Sequence, residues 1–122
     1  MIPERLVLDA GPLIALLHRS DPDHEEAVRG FRRLAEGGAR LFLAGPKAAR
    51  EGLAKVEEGA VVVPFTLEDL EEVRLLLARL PGWGGTLEDA GVALLALRLG
   101  APVWTLNYRD LGAFPALRFW TP

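Results

Sequence analysis

The sequence predicts an α/β fold: one domain over residues 1–122, built as a three-layer α/β/α sandwich around a central parallel sheet of about five strands. Two observations carry this reading. Short apolar runs such as Leu6-Val7-Leu8 and Val61-Val62-Val63 lack polar alternation, the mark of strands buried on both faces as in parallel sheets. Between them lie stretches with apolar residues at helical spacing, and strand-helix alternation along a chain gives a parallel sheet covered by helices.

Each element follows from local chemistry. Arg5-Leu6-Val7-Leu8-Asp9 is a strand ending on a carboxylate, and Gly11-Pro12 supplies the turn into a short helix continued by Leu13 to Leu17. Asp21-Pro22 reads as the cap and first position of a second helix, with Ala27, Val28, Phe31, Leu34 and Ala35 on one stripe and Gly37-Gly38 as its stop. Arg40 to Ala44 is the second strand, and Gly45-Pro46 opens a helix from Lys47 to about Val56. Ala60 to Pro64 is the third strand. Thr66 with Asp69, and Thr86 with Asp89, are helix caps with an acid three residues on. The helix from Thr86 is apolar nearly all round and therefore buried. Ala101 to Leu106 reads as the fourth strand and Leu117 to Thr121 as a fifth, at the sheet edge.

Composition narrows the function classes. The 122 residues include no cysteine, which removes disulfides and thiolate chemistry and suits a reducing compartment, so a cytoplasmic protein is expected. Neither a signal peptide nor an apolar run of membrane-spanning length is visible. A net charge of −3 argues against gripping duplex nucleic acid through a broad basic face, yet leaves room for an acidic site that meets phosphate through a cation. His18 and His24 are six residues apart on different elements and read as solvated side chains. Trp83, in Pro81-Gly82-Trp83-Gly84-Gly85, reads as an anchor for its loop more readily than as a base-stacking platform.

Three polar residues fall into a relation. Asp9 and Asn107 each end a buried strand at its carboxyl side, the edge where open α/β sheets bind ligands. Asp89 opens a helix that starts on the same side in a right-handed β-α-β unit. Two of them also have a plain structural role available, Asp9 as a helix cap and Asp89 as the acid of the Thr86 cap. Carboxylates gathered without a counter-charge raise one another's pKa, and oxygen ligands without cysteine or paired histidine point to Mg²⁺ or Mn²⁺. Glu51, about one turn into the helix after the second strand, is either a further carboxylate at this edge or one exposed acid among many.

The stretches Leu8-Asp9-Ala10-Gly11-Pro12 through Leu17, Asp21-Pro22-Asp23-His24 leading into an amphipathic helix, Leu87-Glu88-Asp89-Ala90-Gly91 through Ala96, and Gly100 through Thr105-Leu106-Asn107-Tyr108-Arg109-Asp110-Leu111 resemble those of PIN domains, and among them the VapC-type toxin ribonucleases of toxin-antitoxin pairs. The resemblance covers the first and last thirds of the chain and, in the middle, the order of elements. It implies that Asp9 and Asp89 bind Mg²⁺ or Mn²⁺ and ready a water. It also implies that Glu51 is the third acid, that Asn107 stands where aspartate is common, and that Thr105 and Asp110 support the site. Arg50, Tyr108 and Arg109 become expected RNA contacts, with an antitoxin covering the site and a homodimer as the assembly.

Metal-dependent hydrolysis of RNA is thus the leading expectation. A single serine, Ser20, outside any nucleophile motif and the lack of a phosphate-cradling glycine loop leave few other catalytic routes. A weakened scaffold that binds nucleic acid or protein without cutting is the alternative, resting on Asn107 and the loose register at Glu51. A phospho-accepting receiver domain is disfavoured, because Ala10 stands beside Asp9, Phe65 follows the third strand and no lysine occurs after Lys55.

Overall fold

The computed structural model describes residues 1–44, 60–64 and 66–122; the helix expected from Lys47 to Val56, with Arg50 and Glu51, lies outside them. Four parallel strands form the sheet: β1 (Arg5–Leu8), β2 (Arg40–Ala44), β3 (Ala60–Val63) and β4 (Val103–Trp104), in the order β3-β2-β1-β4. The described helices are α1 (Ala10–Leu17), α2 (His24–Glu36), α3 (Leu67–Leu77), α4 (Leu87–Leu99) and the single turn α5 (Tyr108–Leu111).

β1 is central and fully enclosed, with Leu6, Val7 and Leu8 each at most 1% exposed. Successive side chains of a strand point to opposite faces, and β1 accordingly feeds two cores. Leu6 and Leu8 join Leu41, Leu43 and Trp104 under α1 and α2, through Leu13, Ala15, Ala27 and Leu34. Val7, Phe42 and Val103 meet Val92, Ala93, Leu95 and Ala96 of α4 on the other face, beside Leu111 and Phe114. The three layers follow from that division.

The caps form as the sequence predicts. Thr66 Oγ1 accepts from the Asp69 amide at 3.2 Å while Asp69 accepts from the Thr66 amide at 2.7 Å, and Thr86 and Asp89 repeat the arrangement at 3.1 and 2.9 Å. Gly100 ends α4 in the left-handed region at φ 60°, where a side chain is disfavoured.

Four expectations are corrected. Among the described residues the sheet has four strands rather than about five, since the Leu117–Thr121 segment makes one isolated bridge, Phe119 to Val103. Its cause is the second correction: β4 spans two residues instead of Ala101 to Leu106. Pro102 has no N–H, and beyond Trp104 the Thr105 hydroxyl takes the Asn107 amide at 2.9 Å and turns the chain into α5. So short a strand exposes only the N–H and C=O of Val103 outward, and these pair with Arg118 O and Trp120 N, both at 2.9 Å. Third, Asp21 does not cap α2: it closes a turn by accepting from the Asp23 amide at 2.8 Å, and the helix begins at His24. Fourth, His24 is half-buried rather than solvated, its Nδ1 donating to Ala15 O at 2.8 Å, which ties the start of α2 to α1. His18 is exposed, as expected.

Trp104 fixes how closely α2 approaches the sheet. Its ring is packed by Phe31 at 4.8 Å and edge-on by Trp120 at 5.2 Å, and it lies against the backbone of Gly30, where a methyl group would stand 2.6 Å from Trp104 Cζ2. Glycine inside a helix ordinarily costs about 1 kcal/mol relative to alanine, so replacement of an unconfined Gly30 would stabilise. Here overpacking against a rigid ring, about 1–3 kcal/mol, outweighs that gain. Gly30→Ala is expected to lower the unfolding free energy in urea titrations by about 1 kcal/mol; a gain in stability would show that the α2–sheet contact has room to yield.

Candidate active site

Parallel pairing places the site. β1 and β4 run in register with Leu8 opposite Trp104, so the next residues, Asp9 and Thr105, emerge side by side where the sheet ends. The Asp9 amide donates to Trp104 O at 3.0 Å, and the Thr105 hydroxyl donates to Asp9 Oδ2 at 2.6 Å. Asp9 Oδ1 accepts from the Ala10 amide at 2.9 Å, capping α1. Asp9 is thus a cap and also a carboxylate held in one orientation at the ligand-binding edge.

The surroundings oppose its charge. Asp9 is 8% exposed and Thr105 is fully buried. Burial pushes the Asp9 carboxyl above the ordinary carboxylate range, the hydrogen bonds from Thr105 and Ala10 pull it back in part, and the negative charges of Asp89 and Glu88 push it up again. Both acids belong to the first turn of α4.

Asp89 reaches this edge because the Thr86 cap fixes where α4 begins. Its Oδ2 accepts from the Thr86 amide at 2.9 Å, and the residue remains partly exposed. The cap reading of Asp89 is thus met: one oxygen holds the cap, and the carboxylate keeps further lone pairs uncommitted.

Asn107 caps α5. Its Oδ1 accepts from the Asp110 amide at 3.4 Å, and its Nδ2 donates to Asp110 Oδ2 at 3.0 Å. Its own amide donates to Thr105 Oγ1. Thr105, Asn107 and Asp110 consequently form one network that ends on Asp9, whose carboxylate Thr105 orients. Asp110 is buried and lies 3.6 Å from the Arg109 guanidinium, which is otherwise in solvent. Tyr108 is 44% exposed, rests edge-on against Phe119 at 5.3 Å, and has its hydroxyl pKa raised by burial and then by Glu26.

Among the described residues the structure brings together Asp9, Asp89, Thr105, Asn107 and Asp110, with Tyr108 and Arg109 on the turn beside them. Glu51 and Arg50 lie outside the described residues. Sequence reasoning passed over Glu88, although a second acid in the first turn of α4 was the available signal. Trp83 anchors its loop as expected, but by a bond no local pattern specifies, from its indole N–H to Asp110 O at 2.8 Å.

This donor set suits a hard divalent cation. Every candidate ligand atom is oxygen, Asp9 and Asp89 present like charges to one another, and neither takes part in an ion pair among the described residues. No group of three or more His, Cys, Asp or Glu side chains positioned to hold a metal occurs among the described residues. Two carboxylates completed by water and substrate oxygens are nevertheless a familiar arrangement for Mg²⁺.

No protein-family model and no curated protein sequence matches the chain, whereas solved structures do. The chain is similar to the structure of VapBC2 from Rickettsia felis bound to a DNA fragment from their promoter, with TM-score 0.70, 13% identity, and coverage of 95% of this chain and 97% of that one. It is also similar to Mycobacterium tuberculosis VapC20, a sarcin-ricin loop cleaving toxin, with TM-score 0.75, 16% identity, and coverage of 96% and 99%. Likeness at such low identity is likeness of fold, and it agrees with the parallel sheet and flanking helices described above. The chain has the PIN-domain fold of the VapC type.

Proposed function

We propose that this protein is a metal-dependent endoribonuclease that hydrolyses RNA phosphodiester bonds as the toxin of a toxin-antitoxin pair. The observation that carries the reading is the buried Asp9 carboxylate, oriented by Thr105 and facing the negative charges of Asp89 and Glu88 at the carboxyl edge of a parallel sheet. An arrangement so unfavourable to a carboxylate by itself becomes favourable around a cation. The fold likeness to a sarcin-ricin loop cleaving toxin supports the choice of RNA.

Asp9 and Asp89 would hold Mg²⁺ or Mn²⁺, with Glu51 as a further acid and the Asn107 carbonyl oxygen orienting a water. Bound there, the ion would polarise the scissile phosphate and lower the pKa of the attacking water. Thr105 keeps Asp9 in the ligating orientation. Asp110 fixes the Asn107 amide, and Arg109 and Tyr108 stand where RNA flanking the scissile bond would pass. The proposal extends to a cognate antitoxin chain covering this edge, to a homodimer, and to the cytoplasm as the place of action. A non-cutting scaffold is the second reading, favoured by Asn107, which brings no charge and whose side chain is engaged with Asp110.

Cleavage of a cellular RNA pool with Mn²⁺ or Mg²⁺ decides between them. The parent is expected to cut, EDTA to stop it, and Asp9→Asn and Asp89→Asn to slow it at least 100-fold. In Mn²⁺ calorimetry each substitution should weaken binding tenfold or more, about 1.4 kcal/mol. Saturable binding without cleavage of any RNA would favour the scaffold; equal weak binding in all three proteins would remove the cation site.

The raised Asp9 pKa gives a second expectation, with a definite sign. A carboxyl harder to ionise in the folded state favours folding below its unfolded pKa, about 4, and loses that contribution as pH rises through the folded value. Measured by urea unfolding in chelator, the stability of the parent relative to Asp9→Asn should therefore fall between pH 4 and 7, and Mn²⁺ at pH 7 should restore it. A relative stability that stays level or climbs with pH would contradict the burial and like-charge account of Asp9.

A further inference from the structure

The two proposed cation ligands come from opposite ends of the chain and share no hydrogen bond. Asp9 belongs to β1, and Asp89 to the first turn of α4. Their separation, on which affinity for a small rigidly coordinated ion depends, must be set by whatever joins the start of α4 to the end of the sheet.

The body of α4 packs directly on the sheet; ahead of its first turn a further connected path makes the join, and Trp83 is its keystone. The ring lies over Gly85, the residue before the Thr86 cap, with so little clearance that a methyl group on Gly85 would stand 2.8 Å from Trp83 Cε2. It also meets Phe114 edge-on at 5.3 Å. Its indole N–H donates to Asp110 O at 2.8 Å. From Asp110 the path runs through its carboxylate to Asn107 Nδ2 at 3.0 Å, from the Asn107 amide to Thr105 Oγ1 at 2.9 Å, and from the Thr105 hydroxyl to Asp9 Oδ2 at 2.6 Å. The loop that delivers Asp89 is thereby linked, through side chains and the backbone of Asp110 and Asn107, to the carboxylate of Asp9.

We propose that Trp83 is a positioning residue for the cation site: its indole N–H holds the cap of α4 at a fixed distance from the Asp110–Asn107–Thr105–Asp9 network, and so sets the spacing of Asp89 from Asp9. The inference rests on the reading of these aspartates as cation ligands. The hydrogen bond is the element that matters, beyond the packing that any aromatic ring would give. Phenylalanine at this position would keep contact with Phe114 and Gly85 but cost Asp110 O its 2.8 Å indole donor, leaving it the longer bond from the Ala113 amide at 3.4 Å, and a carbonyl that loses its better partner shifts toward other donors or water.

Two measurements test it. In Mn²⁺ calorimetry Trp83→Phe is expected to weaken binding at least fivefold, and Gly85→Ala, which pushes the ring aside without altering it, should do the same. In ¹H–¹⁵N spectra of the parent titrated with Mg²⁺, the Trp83 indole resonance should shift with the same saturation as the Asp9 and Asp89 amides, while the Trp104 and Trp120 indoles stay in place. The spectra need no substitution, so the proposal stays testable even where a variant does not fold. Trp83→Phe that matches the parent in Mn²⁺ affinity within twofold, or an indole resonance that ignores Mg²⁺ while the aspartate amides respond, overturns the positioning role and leaves the cation site standing. A parent whose Mn²⁺ binding is not saturable, or is untouched by Asp9→Asn, overturns both.

Discussion

The hydrogen bond from the Thr105 hydroxyl to Asp9 is the constraint around which this end of the molecule is arranged. It requires β1 and β4 to be neighbours in a fixed register, so that the residues just past each strand coincide. The threonine must be fully buried, with its one donor committed to the carboxylate and its acceptor side left for the Asn107 amide. That second bond shapes the turn into α5 and ends β4 after two residues. A shortened edge strand and a held carboxylate are two results of the same hydroxyl group.

The arrangement sets stability against use. Buried carboxylates favour their neutral form unless hydrogen bonds or opposite charges intervene; here two hydrogen bonds oppose the effect of burial and two acids reinforce it. A sequence selected for stability alone would place valine or asparagine at such a position. Local conflict of this kind, in a fold whose other choices agree with one another, is what functional sites exhibit. The contrast with Asp69 is instructive. That residue, equally hidden, has its carboxyl pKa lowered by the Thr66 amide and by Arg98, and is at rest in its charged form.

Much of this was legible in the residues. Buried strands, both capping boxes and the all-round apolar α4 depend on local patterns, and the placement of Asp9, Asp89 and Asn107 on one sheet edge follows from the handedness of β-α-β units. What escaped depends on partners distant in sequence. The shortness of β4 reflects Pro102 and the hydroxyl of Thr105, neither of which breaks an apolar pattern. His24 bonds a carbonyl on another helix, and Trp83 one on another loop, and a single polar atom at the right distance leaves no periodicity behind. Asp21 failed as a cap because its carboxylate found a nearer amide, at Asp23, than the helix offered. Glu88 was visible but uninterpretable, since its effect on Asp9 is a matter of distance through space.

The span of the Thr105–Asp9 bond, 96 residues, has a consequence for the making of the protein. Pairing across such a separation closes late in folding. During synthesis at roughly 10 residues per second, Asp9 leaves the ribosome on the order of 10 s before its partner does. A nascent chain therefore carries α1, α2 and β2 well before it carries the hydroxyl that holds Asp9, and the sheet edge at which that carboxylate stands is complete only when the last strand arrives.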